Sequence, residues 1–133
     1  MSIARADVKA RIDAIEESYE FFLAYAAQGL TTDQGAKSGA QLRDFLKKME
    51  SAIDGLAAGL RALSAEGALQ PAAAWREVID LVERDGAASL AAVRLVASRP
   101  GVSSQLIDNM NANIHIRALL TDLFLVDELI PRA

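Results

Sequence analysis

The sequence predicts an all-α fold, an antiparallel up-down bundle of four helices in a single domain, and three observations predict it. Apolar residues make up 52% of the 133 positions but aromatic ones only 5%, so the apolar content is chiefly Ala, Leu, Ile and Val. That mix suits close helix packing better than a sheet core. Apolar residues recur at intervals of three and four along four segments of similar length, the spacing that lines one helix face. The connections between those segments are short, which favours antiparallel neighbours. A chain of this size removes roughly two thirds of its extended surface from water on folding, enough for one core, so residues 1–133 read as one domain.

The first helix is expected over 4–28, with Val8, Ile12, Ile15, Tyr19, Phe22 and Ala26 on one face and a stop near Gly29, where a left-handed conformation is cheap. The second, 39–65, carries Leu42, Phe45, Leu46, Met49, Ile53, Leu56, Leu60 and Leu63. Ser38 and Gln41 at its start are spaced as a capping box, and Gly67 closes it. Within it, Gly55 and Gly59 make a small-residue strip over which a neighbouring helix can pass closely. The 30–39 connection, "LTTDQGAKSG", is the longest and is expected to be mobile.

The third helix is expected over 71–98, with Pro71 in its first turn, where a missing amide costs nothing. Trp75, Ile79, Val82, Leu90, Val93 and Ala97 keep one phase across Gly86. The segment therefore reads as one helix, with a glycine that makes room for a neighbour at a propensity cost of about 1 kcal/mol. Tyr19 and Trp75 fall on apolar stripes and read as core residues.

The fourth helix is expected over 104–130, between the N-cap candidates Ser103 and Ser104 and the stop at Pro131. Residues 109–117 alternate polar and apolar as a strand would. No second strand exists to partner them, and the helical reading is preferred. On a helix this segment has two apolar stripes. One holds Ile107, Met110, Ile114, Ala118 and Leu125 with Phe124 at its edge; the other holds Ile116, Leu119, Leu123, Val126 and Ile130. A helix apolar on two sides is usually buried on two sides. The second stripe is taken as the interface with another copy of the chain, although the first could serve as the outer one. Asn111, His115 and Asp122 border the stripes as a polar seam expected to set register.

Composition excludes several functions. Lys and Arg number 14 against 18 Asp and Glu, a net charge of -4 without a basic cluster, so neither nucleic acid nor an anionic membrane is an expected partner. Cysteine is absent, which removes disulfides, thiolate metal sites and cysteine nucleophiles. No apolar run approaches the ~20 residues of a membrane crossing, the start lacks the apolar core of a secretory signal, and a cytoplasmic location is expected. His115 with Asp108 and Asp122 is the only candidate metal set, and it lacks the paired Glu-x-x-His motifs of di-iron bundles. "RIDAIEE" from Arg11 resembles the opening helix of the all-helical chorismate mutases over seven residues. Those enzymes gather several inward basic residues, whereas no Lys or Arg occurs between Arg11 and Lys37, so no site is carried over.

The expected function is a non-enzymatic, self-associating interaction or assembly module, a homodimer without cofactor. The alternatives are a small-molecule- or metal-binding bundle with its site near His115, and a small helical enzyme.

Overall fold

All regular structure in the computed structural model, which describes residues 2–131, is helical. The elements are α1 (Ile3–Ala26), α2 (Gly39–Asp54), α3 (Leu56–Ala65), α4 (Ala72–Ala97), α5 (Ser104–Ala112) and α6 (Ile114–Leu129). Two of the expected helices, 39–65 and 104–130, are thus each divided in two, at Gly55 and at Asn113. α1 packs against α2, α3, α5 and α6, and α4 packs against the same four; α1 and α4 make no close contact with each other among the described residues. No described helix is long and apolar enough to cross a membrane.

α1 begins at Ser2, whose hydroxyl accepts from the Arg5 amide at 3.0 Å. Its buried face is Val8, Ile12, Ile15, Phe22 and Tyr25, while Tyr19 and Ala26 are only partly covered. Gly29, past its end, takes the left-handed φ of 66° that the chain reversal needs.

At the division beside Gly55, Arg11 reaches the end of α2. From α1, its Nη1 donates to the Ser51 carbonyl at 2.8 Å and the Ala52 carbonyl at 3.3 Å, while Nε donates to Asp7. A cation on the last carbonyls of a helix satisfies acceptors that have no partner within it. A Cβ on Gly55 would collide with that guanidinium, and one on Gly59 would meet Asp7 Oδ2 at 2.9 Å and Val8 Cγ2 at 3.1 Å. The small-residue strip therefore accommodates α1 and its Arg11–Asp7 pair.

The capping box at Ser38 does not form: Ser38 makes no side-chain cap, and its hydroxyl donates to Gln28 Oε1 at 2.8 Å. Pro71 stands just before α4, at its N-cap position. α4 runs unbroken through Gly86, as its phase predicts. A Cβ at Gly86 would meet Ile53 Cγ2 at 3.5 Å, an ordinary contact, so packing does not require the glycine. A shallow groove of about 230 Å³, lined in part by Ile53, Ala57, Val82 and Ala87, passes it.

The 30–39 connection is tied down, contrary to the expectation of mobility. Asp33, 7% exposed, accepts from the Val102 amide at 2.7 Å and from Arg43 Nε at 2.9 Å. Arg43 in turn donates to the carbonyls of Ala97, Arg99 and Pro100 at the end of α4. The Leu30 amide and carbonyl both bond Ser104, and Tyr25 Oη donates to the Val102 carbonyl at 2.7 Å. Burial raises the Asp33 carboxyl, but the Arg43 and Val102 hydrogen bonds outweigh it and hold its pKa below the usual value.

Candidate interaction surface

The surface is a product of the break at Asn113. Asn113 takes an extended ψ of 130°, ends α5, and caps α6 with its side-chain oxygen, which accepts from the His115 amide at 2.8 Å. Asparagine suits this position because its side chain substitutes for a helical backbone partner. The break turns the buried face. Ile107 and Met110 of the first apolar stripe face the core in α5, whereas Ile116, Leu119, Leu123 and Val126 of the second face it in α6. At 100° per residue these two sets lie roughly half a turn apart on a straight helix, and the interruption lets both be buried.

That placement corrects the interface assignment. Ile116, Leu119, Leu123 and Val126 are wholly shielded within one chain, and Ile130 is packed against the same core. The exposed apolar face of α6 is the other stripe: Ile114 is 75% exposed, Phe124 59%, Leu125 55% and Leu129 58%. Ala118 and Thr121 lie between them. Among the described residues the remaining exposed large apolar side chains, Ile3, Leu23, Leu81 and Leu95, are distributed over α1 and α4. The α6 face continues into an apolar groove of about 280 Å³, where Leu125 and Leu129 face Pro71, Ala74, Trp75 and Val78. Trp75 itself is 8% exposed, the floor of that groove.

The polar seam is dispersed. Asn111 is buried and its Nδ2 donates to the Tyr19 carbonyl of α1 at 3.3 Å, while its Oδ1 has no partner. His115 is exposed and contributes to neither the 280 Å³ groove nor a wider cleft of about 680 Å³, lined by Leu23, Leu30, Ser104 and Asp108 among others. Asp108 is exposed on α5. Asp122 is half-buried against α4 with one oxygen out of contact with solvent. Among the described residues no group of three His, Asp or Glu side chains is placed to hold a metal ion, so His115, Asp108 and Asp122 do not come together.

Asp122 has a different neighbour, Asp85 of α4, which the sequence reading did not single out. Burial, hydrogen bonding to the Asp85 carboxyl and its negative charge together push the Asp122 pKa up to about 7. Asp122 therefore keeps its proton well above the ordinary carboxylate range. Periodicity alone offered one signal for it: Asp85 falls beside Gly86, on the buried side of α4.

Compared with known protein families, curated proteins and solved structures, the chain matches none.

Proposed function

We propose that this chain is a non-enzymatic, self-associating helical module, an up-down bundle of four helical segments that pairs with a second copy through the outer face of α6. In this reading α2 with α3 and α5 with α6 act as two bent segments packed between α1 and α4. The cytoplasm suits a chain without cysteine.

One observation carries the proposal. α6 has its inner stripe in the core and still holds Ile114, Phe124, Leu125 and Leu129 more than half exposed on its other side. Burying such a side chain fully contributes about 1.5–3 kcal/mol, and a clustered apolar patch marks an interaction site where scattered residues do not. The same patch on a second copy is the expected cover, because most soluble oligomers are closed and symmetric.

Light scattering of the purified chain over a concentration series tests it, with Leu125→Asp alongside. A concentration-dependent dimer that Leu125→Asp abolishes supports the proposal. A wild-type chain that stays monomeric throughout the series overturns it.

A further inference from the structure

We infer that the two copies dock α6 against α6 in antiparallel orientation, with Arg117 of each chain paired to Glu128 of the other; this rests on the self-association reading. Arg117 and Glu128 are both exposed. They stand eleven residues apart in sequence, about three helical turns, and so project from the same side of α6. Neither joins an ion pair among the described residues.

The midpoint between them falls level with the midpoint between Thr121 and Phe124. A two-fold axis there brings Arg117 opposite the other copy's Glu128 twice over, once on each side of the axis. The same axis sets Leu125 into the gap between Ala118 and Thr121 of the other copy, and Leu129 between its Ile114 and Ala118. Leu125 then meets the small Ala118 and Thr121, and Leu129 seats beside Ala118, as knobs fill holes between closely packed helices. A parallel pairing would instead set Arg117 against Arg117 and Glu128 against Glu128, and juxtaposed like charges disfavour that register.

Arg117→Glu and Glu128→Arg test the geometry in sedimentation at low salt, where exposed charges are least screened. Each single variant turns both attractive pairs repulsive and is expected to weaken the homodimer about ten-fold. An equimolar mixture of the two variants regains a dimer, because every contact across it is again between opposite charges. The double variant also regains it. If the wild type dimerises and Leu125→Asp abolishes the dimer, yet the single reversals change nothing or the mixture gives no recovery, the antiparallel pairing is wrong and self-association stands. If the wild type is monomeric, both fail together. Circular dichroism spectra of the single variants, expected to keep the helical signal of the wild type because both positions are exposed, separate these outcomes from misfolding.

Discussion

Arg43 of α2 and Asp33 of the preceding loop meet at 2.9 Å, and through that contact the loop is joined to the end of α4 and the start of α5. Each partner completes the other's bonding: Asp33 orients the guanidinium, and the guanidinium satisfies carbonyls that a helix end leaves open. Removing Asp33 leaves the Val102 amide without its acceptor and takes the only anionic partner from the Arg43 guanidinium among the described residues. Asp33→Ala is expected to cost about 1.5–3 kcal/mol, the range for hydrogen bonds to charged groups. Urea unfolding measures it, and a loss under about 0.5 kcal/mol, the usual surface value, would refute the role assigned to the pair.

The same carboxyl makes the chain acid-sensitive. Its pKa is held below the ordinary 3.8 in the folded state, so the stabilisation it gives is present above that value and is lost as pH falls through the folded one. Acid unfolding should therefore be shallower in Asp33→Asn than in the wild type. Matching profiles would show that another carboxylate governs the transition.

Asp122 acts in the opposite sense. An unfolded aspartate ionises near 3.8, whereas folded Asp122 keeps its proton to about 7, so its favourable share is complete below 3.8 and disappears as pH rises through 7. Asp122→Asn retains a donor toward Asp85 without a charge. It is expected to melt higher than the wild type at pH 8 and to lose that advantage by pH 4, and a pH-independent difference between the two curves contradicts the raised pKa of Asp122.

Gly86→Ala is expected to stabilise the chain by about 1 kcal/mol, because alanine gains helix propensity and its methyl group meets Ile53 at an ordinary 3.5 Å. Gly39→Ala is the contrasting change. Its Cβ would collide with the Asp33 carbonyl, and a lower midpoint in urea is the expected readout.

Leu123 and Leu125 separate core from surface on one helix. Leu123→Asp places a charge in a fully shielded site and is expected to unfold the chain, since an unpaired buried charge costs several kcal/mol. Leu125→Asp, on the exposed side, should keep the helical circular dichroism of the wild type. Equal loss of signal in both variants would overturn the assigned orientation of α6.

The helical class was legible from spacing, and so were the continuity of α4 through Gly86 and most of its buried face. The orientation of α6 was not. Two opposed stripes were visible between 104 and 130, but a straight helix was assumed, and nothing in a 100° wheel says which stripe lies inside. The clue was the polar-apolar alternation around Asn113: a change of phase there marks the end of one helix and the cap of the next. Arg11 and Arg43 were missed for another reason. Each bonds carbonyls tens of residues away, and the acceptors at a helix end carry no side-chain signature.

The bend at Asn113 also bears on what happens if the chain opens. Cut loose from its neighbours, the 104–129 stretch has little reason to stay bent, and once straightened it is greasy on opposite sides with nothing to shelter either. A partly denatured molecule would thus present a doubly sticky rod, which makes clumping during refolding a hazard traceable to one asparagine.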